Sequence, residues 1–203
     1  MKACCIVGAG DFSNFDFIKK ENDLIIAADG GYKHLRNIGV QPDIAVGDFD
    51  SLGFTPNDVD TIVLPVKKDI TDMKAAIDIG IEKGYESFYI YGGCGGRTDH
   101  TLSNIQLAAS VAEMGFKIFI VDGKTIITAI HNSKFALDST HKGYISVFSH
   151  SDISKGVTLK GLKYTLENAD ITNSFPLGVS NEFIGIESEI SVENGTLIIV
   201  YNH

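Results

Sequence analysis

The feature that most constrains the fold is a change of sequence pattern near residue 123. Before it, short apolar runs alternate with segments whose apolar residues recur at helical spacing. After it, short strand-like runs follow one another, separated by Asn, Gly, Ser and Asp. Alternating strands and helices favour a mostly parallel sheet with helices on both faces, whereas successive short strands favour an antiparallel sandwich or barrel. We therefore predict a mostly parallel α/β sandwich domain over residues 1–123 and an all-β sandwich domain over residues 124–203.

Apolar periodicity predicts the individual elements. The expected strands of the first domain are residues 3–7, 24–28, 44–46, 61–64, 87–91 and 117–121. Apolar residues on one face predict helices over 73–81 and 102–112, and weaker patterns indicate helices over 13–20 and 32–38. In the second domain no helix is expected, and the strands are predicted at 125–130, 144–148, 157–159, 182–186, 190–192 and 196–201.

Charge and cysteine usage exclude several classes of protein. The 203 residues carry a formal net charge of −9, which argues against a nucleic-acid surface because phosphate backbones attract clustered Lys and Arg. The three cysteines lack CxxC spacing, so neither a disulfide framework nor a thiolate zinc site is indicated. No apolar run approaches the ~20 residues that span a bilayer, and no signal-peptide pattern opens the chain. We expect a cytoplasmic protein that binds neither nucleic acid nor membrane.

Polar residues cluster where four of the predicted strands end. The four segments are ADGG at 28–31, GDFDS at 47–51, KKDITD at 67–72 and GGCGGRTDH at 92–100. In an open α/β sheet, the loops that follow parallel strands share one edge, and ligands bind there. That edge would carry Asp29, Asp48, Asp50, Asp69, Asp72 and Asp99. Carboxylates in this number favour a hard cation such as Mg²⁺.

Each of these acids also has an ordinary structural interpretation. Asp69, Thr71 or Asp72 could cap the helix that follows. Asp48 and Asp50 differ, because in an extended chain alternate side chains point the same way. At about 6–7 Å their repulsion would be roughly 2–3 kcal/mol, which a bound cation would offset.

The glycine-rich segment GGCGGR at 92–97 adds a second kind of site. Glycines let backbone N–H groups approach an anion closely at the start of the helix expected near Thr98. Arg97 offers a planar fork for phosphate oxygens. His100 lies in the same segment, and a solvent-facing position on the helix is its alternative role. These residues predict a phosphate-bearing ligand. Metal ions bound with it would offset the repulsion between the phosphates and the carboxylates.

Two nucleotide-binding motifs are incomplete in this chain. Gly123-Lys124-Thr125 resembles the end of a Walker A loop, but the position of its first glycine holds Ile118. Gly8-Ala9-Gly10 begins a dinucleotide fingerprint, but the third glycine position holds Ser13. Neither segment is therefore interpreted as a known phosphate loop.

The ordered set of segments resembles the thiamine pyrophosphokinase family. The resemblance is carried by ADGG, PDIAVGDFDS, KDITD and GGCGGRTDHTLSN, followed by GLKYTLEN at 161–168 and LGVSNE at 177–182. It implies a catalytic domain that binds ATP and Mg²⁺, a β-sandwich domain that binds thiamine, and a homodimer with active sites at the subunit interface. It also implies transfer of a pyrophosphoryl group from ATP to the thiamine hydroxyl, giving thiamine diphosphate and AMP.

The resemblance also implies roles for particular residues. Positions that match the family's magnesium and catalytic acids are Asp48, Asp50 and Asp72, with Asp99 as a further catalytic candidate. Positions that match the nucleotide side of the cleft are Asp29, Gly30, Asp69, Arg97 and His100. Positions that match the thiamine side are Tyr164, Ser180 and Asn181, and Tyr164 stands where animal members carry tryptophan. Either Asp72 or Asp99 could accept the proton of the thiamine hydroxyl.

Two other functions are compatible with parts of the pattern. Asp48-Phe49-Asp50 is also the DxD pattern of metal-dependent nucleotide-sugar transferases. A non-catalytic module that binds thiamine or a nucleotide is the second alternative. Conversion of ATP to AMP that depends on thiamine separates the kinase from both.

Overall fold

The computed structural model describes residues 2–12, 20, 23–67 and 69–202. The chain divides into two compact units, which we describe separately. The first unit contains Met1–Asn104 and Ile120–Gly123, and the second contains Ile105–Phe119 and Lys124–His203. No helix in the described parts of the chain combines the length and the apolarity needed to cross a membrane.

The first unit is built on five parallel strands. They are β1 (Cys4–Val7), β2 (Leu24–Ala28), β3 (Ile44–Gly47), β4 (Asp60–Val63) and β5 (Ser87–Tyr91). Their order in the sheet is β5-β1-β2-β3-β4, and every pair is parallel. All residues of β1, β2 and β3 are buried, which is the pattern of a parallel sheet covered on both faces.

Helices of the first unit cover opposite faces of this sheet. The helices are α1 (Gly31–Asn37), α2 (Asp72–Glu82) and α3 (Thr98–Glu113), of which α3 continues into the second unit. Leu35 of α1 packs in a cluster with Val7 of β1, whereas Gly80 of α2 lies against Cys4 of the same strand. Cys4 and Val7 face opposite sides of β1 because side chains alternate along a strand. The predicted α/β architecture is therefore confirmed.

The second unit is an antiparallel β-sandwich. Its strands are β7 (Thr125–His131), β8 (Lys134–Leu137), β9 (Tyr144–Ser149), β10 (Ile153–Lys160), β11 (Leu166–Thr172), β12 (Gly178–Glu182), β13 (Ser188–Ser191) and β14 (Thr196–Asn202), and β6 (Lys117–Asp122) is divided between the units. One layer has the order β12-β9-β14-β7 and the other β11-β10-β13-β8. A single apolar cluster joins both layers, with Ile145 and Leu197 from the first and Leu159 and Ile190 from the second. Residues 124–202 contain no helix, as predicted.

One predicted strand of the second unit needs correction, and two of its strands were not predicted. The strand expected at 182–186 is wrong, because the strand in that region is β12 and ends at Glu182. Ile184 and Ile186 alternate as strand residues would, but both are exposed. Strands β8 and β11 were not predicted, since β8 has only four residues and β11 buries just one of its seven. The helical pattern at 13–20 falls almost entirely outside the described residues.

The sandwich core generates a stability prediction. We expect Ile145→Ala to lower the free energy of unfolding by about 2–5 kcal/mol, because the side chain is 0% exposed and its removal leaves a cavity. Ile153→Ala removes the same atoms from a side chain that is 48% exposed, and should cost less than about 1 kcal/mol. Urea unfolding of both variants measures the difference, and equal losses would contradict the proposed core.

Candidate functional site

A cavity of about 380 Å³ opens at the carboxyl ends of the parallel strands in the first unit. The loops after β1, β2 and β5 and the first turns of α2 and α3 line it. Strands β2, β3 and β4 extend the sheet on one side of β1, and β5 pairs on the other side. The cavity therefore lies at the topological switch point, where open α/β sheets bind ligands.

Close contact between the loops after β1 and β5 shapes one side of the cavity. The N–H of Gly8 donates to the carbonyl of Tyr91 at 2.8 Å, and the N–H of Gly10 donates to the carbonyl of Gly92 at 2.9 Å. A Cβ atom on Gly10 would lie 2.3 Å from the carbonyl oxygen of Cys94 and 2.7 Å from that of Gly92. Only glycine therefore fits at position 10.

Residue patterns alone did not assign the Gly8-Ala9-Gly10 segment to the site, although the family resemblance implies that the loop GAGDFS contacts ATP. All three residues line the cavity, although the segment fails as a dinucleotide fingerprint. The available signal was a pair of glycines placed directly after a buried strand. That signal indicates close packing of backbones rather than a specific ligand.

Asp29 lines this cavity, and one of its carboxylate oxygens is buried. Its Oδ2 accepts a hydrogen bond from the hydroxyl of Ser51 at 2.7 Å, while its Oδ1 is buried and has no hydrogen-bond partner among the described residues. Leaving a carboxylate oxygen buried and unpaired is costly. Asp29 therefore fits a site that a cation, or a ligand with a hydrogen-bond donor, completes. Gly30 follows it and contacts Ala9 and Ser51.

The GDFDS segment does not have the extended geometry expected from the sequence. Strand β3 ends at Gly47, and Phe49 takes a left-handed conformation with φ of 59°. The Phe49 side chain is buried in the cluster with Val7 and Leu35, which turns the chain. The Oδ1 of Asp48 then accepts the N–H of Asp50 at 3.2 Å. The expectation that both acids project together from an extended strand is therefore wrong.

Three residues at or just before the start of α2 occupy different positions relative to the cavity. Thr71 is the N-cap, and its hydroxyl accepts the N–H of Lys74 at 3.2 Å. Asp72 lies in the first helical turn, where the helix dipole favours a negative charge, and it lines the cavity. Asp69 is exposed and lies outside the residues that line the cavity.

The start of α3 carries an ion pair beside the cavity. The guanidinium of Arg97 donates to both carboxylate oxygens of Asp99, at 2.6 and 3.2 Å, and these hydrogen bonds lower the pKa of Asp99. Arg97 and His100 line the cavity, whereas Asp99 does not. Buried Asn104 donates its amide to the carbonyl of Gly93 at 2.7 Å, which fixes the glycine-rich segment.

Within the described residues, no group of three or more His, Cys, Asp or Glu side chains is close enough to hold a metal ion. Asp48, Asp50 and Asp72 thus do not form a ready-made metal cage. Mg²⁺ usually binds proteins through only one or two carboxylates, together with waters and substrate phosphates. Asp29 and Asp72, which both line the cavity, fit that kind of site.

The residues predicted to contact thiamine lie together in the second unit. Tyr164 is exposed after β10, and Ser180 is exposed in β12. Asn181 follows Ser180 and is buried, and its side-chain amide bonds to the backbone of Tyr164.

This combination of an α/β unit with a switch-point cavity and a β-sandwich unit is that of thiamin pyrophosphokinases. The family model for the thiamin pyrophosphokinase catalytic domain matches residues 15–120. The model for the family's vitamin B1 binding domain matches residues 131–197.

Individual relatives agree with the family models. The chain is 34% identical over 189 residues to a thiamine pyrophosphokinase of Bacillus subtilis, an alignment that covers 89% of this chain and 87% of the relative. A crystal structure of the Bacillus subtilis thiamine pyrophosphokinase has a TM-score of 0.87, with 30% identity and 98% of each chain covered. One from Geobacillus thermodenitrificans has a TM-score of 0.85, with 29% identity and 99% and 97% covered.

The chain belongs to the thiamin pyrophosphokinase family, a family of ATP-dependent pyrophosphotransferases. The resemblance identified in the sequence is thereby confirmed. The comparisons do not favour the alternative of a nucleotide-sugar transferase.

The cysteines of the first unit generate a prediction about reactivity. Burial raises the pKa of the Cys94 thiol to about 11, and Cys4 and Cys5 are also buried. Only the thiolate reacts rapidly, and at pH 7 a thiol with this pKa is almost entirely protonated. We expect slow reaction of all three thiols with Ellman's reagent at pH 7, faster reaction as the pH rises toward 10, and immediate reaction of all three in guanidinium. One thiol reacting at once in the native protein at pH 7 would contradict this.

Proposed function

We propose that this protein is a thiamine diphosphokinase, which transfers the pyrophosphoryl group of ATP to the hydroxyl of thiamine and releases AMP. The observation that carries the proposal is the switch-point cavity, lined by two glycine-rich loops, Asp29 and Asp72, in a chain that belongs to this family. A cavity completed by a cation suits ATP, which is bound as its metal complex. The vitamin B1 binding domain model over the second unit supports thiamine as the acceptor.

The nucleotide side of the site is proposed to consist of Asp29, Gly30, Asp69, Arg97 and His100. Support comes from the glycine-rich loops after β1 and β5, where backbone lies at the cavity without side chains in the way. The first turn of α3 adds the positive end of a helix dipole, which favours phosphate. The Arg97 side chain is 68% exposed beside this turn, so its guanidinium can bind phosphate oxygens.

The metal is proposed to be Mg²⁺, held by phosphate oxygens together with acids of the set Asp48, Asp50 and Asp72. When bound, it neutralises charge on the phosphates of ATP. Since the three acids do not form a cage by themselves, we propose that the site assembles around the nucleotide–metal complex. Asp29 lines the same cavity as Asp72 and would add negative charge there.

In the reaction, the thiamine hydroxyl oxygen forms a bond to the β-phosphorus of ATP while the bond from that phosphorus to the bridging oxygen of AMP breaks. An aspartate accepts the hydroxyl proton. We assign this role to Asp72 rather than Asp99, because Asp72 lines the cavity. Hydrogen bonds from Arg97 lower the pKa of Asp99 and so make it the weaker base.

The thiamine side is proposed to consist of Tyr164, Ser180 and Asn181, acting on the active site of the partner subunit in a homodimer. Strand β12, which carries Ser180, lies at the end of its layer. Exposed apolar side chains flank it at Leu177, Val179 and Ile184. An edge strand with exposed apolar residues is suited to burial against a second chain.

We further propose a cytoplasmic location, consistent with three buried free cysteines, and a domain boundary at residue 123.

The direct test mixes the protein with ATP, thiamine and Mg²⁺ and separates the products. We expect equal amounts of AMP and thiamine diphosphate, no AMP without thiamine, loss of turnover with excess EDTA and recovery on adding Mg²⁺. A product pair of ADP and thiamine monophosphate would refute the proposed reaction. Binding of thiamine without any AMP would instead support the non-catalytic module.

A substitution tests the acidic set. We expect Asp50→Asn to lower kcat by a factor on the order of 10²–10³, the range for loss of one electrostatic contact that stabilises the transition state, while the urea midpoint stays unchanged because Asp50 is exposed. Asp60→Asn is the matched control. Asp60 is also exposed, but it begins β4 at the opposite end of the sheet. If the Asp50→Asn variant were as active as the Asp60→Asn control, the proposed role of Asp50 in the active site would be contradicted.

A further inference from the structure

Strand β12 contains a bulge that directs two adjacent side chains differently. Its pairing with β9 shifts register between Gly178 and Asn181, and Ser180 takes a left-handed conformation with φ of 59°. Bulges redirect side chains where they occur. As a result Ser180 is exposed, whereas the side chain of Asn181 is only 3% exposed.

The buried carboxamide of Asn181 serves as a backbone partner for Tyr164. The N–H of Tyr164 donates to Oδ1 at 2.9 Å, and Nδ2 donates to the carbonyl oxygen of Tyr164 at 2.6 Å. The N–H of Glu182 also donates to Oδ1, at 2.9 Å. Both lone pairs of Oδ1 are thereby used. Asn181 has almost no surface and only one remaining N–H to offer a ligand.

Tyr164 itself is fixed at its backbone, and the Lys163 ammonium lies over one face of its ring, 5.5 Å from the centroid. Its side chain is 60% exposed. The residue before it is also tied to β12, since the N–H of Lys163 donates to the carbonyl of Glu182 at 3.0 Å and the two side chains form an ion pair at 2.6 Å. An exposed aromatic ring on a doubly anchored backbone is suited to contact with a flat ligand.

We infer that Asn181 is a positioning residue for thiamine, which holds Tyr164 in place rather than contacting the substrate itself. The inference rests on the proposed function, because it assigns the role of Asn181 within the thiamine site. It differs from the role expected from the resemblance, in which Ser180 and Asn181 both contact thiamine. In the present assignment, Ser180 and the Tyr164 ring face the ligand, whereas Asn181 fixes the Tyr164 backbone through hydrogen bonds.

A double-mutant cycle distinguishes support from direct contact. Asn181→Asp keeps the side-chain shape but replaces the donor to the Tyr164 carbonyl with an oxygen, and Tyr164→Ala removes the ring. We expect Asn181→Asp to raise the KM for thiamine about tenfold, the equivalent of one buried hydrogen bond, with the KM for ATP unchanged. In the Tyr164→Ala background, Asn181→Asp should raise the KM for thiamine by less than about twofold, since its effect passes through the ring.

Independent effects that multiply in the double variant would show direct contact and overturn the inference, as would an unchanged KM for thiamine in Asn181→Asp. Asn194→Asp is the matched control for adding a charge, because Asn194 is exposed in the same unit. It should leave both KM values unaltered. Failure of the proposed function is distinguishable, since the wild-type protein would then form no AMP with thiamine at all.

A second measurement does not depend on the folding of an Asn181 variant. The chain contains no tryptophan, so Tyr164→Trp places a single tryptophan, which can be excited selectively over the tyrosines, at the proposed position. We expect thiamine alone to quench its emission in a saturable way.

In the wild-type protein, hydrogen exchange should find the Tyr164 amide protected although its ring is exposed. An unprotected Tyr164 amide, or emission that thiamine does not change, would overturn the inference.

Discussion

The first unit depends on the close approach of two backbones, the loops that leave β1 and β5. The hydrogen bond from the Gly10 N–H to the Gly92 carbonyl continues strand pairing past the end of the sheet, and neither position has room for a side chain. Because these loops hold each other, they do not need a ligand to keep their shape. The cavity beside them is therefore preorganised on the side where phosphate is proposed to bind. Preorganisation lowers the entropic cost of binding.

The acidic side of the cavity is organised differently. Ser51 holds one oxygen of Asp29, but the other oxygen is unpaired, and no three acids among the described residues gather into a metal cage. Keeping the acids apart avoids the mutual repulsion of carboxylates in the free protein. It also makes metal binding dependent on phosphate oxygens that complete the coordination. One side of the site is thus rigid, whereas the other is assembled by its ligands.

Much of the fold could be predicted from residue patterns because burial and periodicity agree there. Strands such as Leu24–Ala28 are continuous apolar runs, and the helix at Asp72–Glu82 has a clear apolar face. β11 was missed because an edge strand with Glu167, Asn168 and Asp170 has few apolar residues to reveal it. The candidate site was predictable as a set of loops at one sheet edge. The turn at Phe49 was not, since its left-handed backbone follows from burial of one ring in a cluster of distant residues.

Ser180 and Asn181 illustrate a further limit of pattern reasoning. Ser180 and Asn181 are adjacent polar residues that appear equivalent in sequence, but the bulge leaves Ser180 exposed and Asn181 buried. Only the hydrogen bonds to Tyr164 reveal the difference between a residue that faces a ligand and one that supports it.

Asp29 combines two separable demands at one position. Its backbone is left-handed, with φ of 47°, a conformation that glycine and asparagine adopt readily and most other residues avoid. Its side chain supplies an anionic oxygen that neither of those two residues can provide. Glutamate would keep the charge but not the backbone preference. Aspartate is therefore the residue that provides both the left-handed backbone and the anionic oxygen at low cost. Fewer substitutions should be tolerated here than at a position that requires only the charge or only the left-handed backbone.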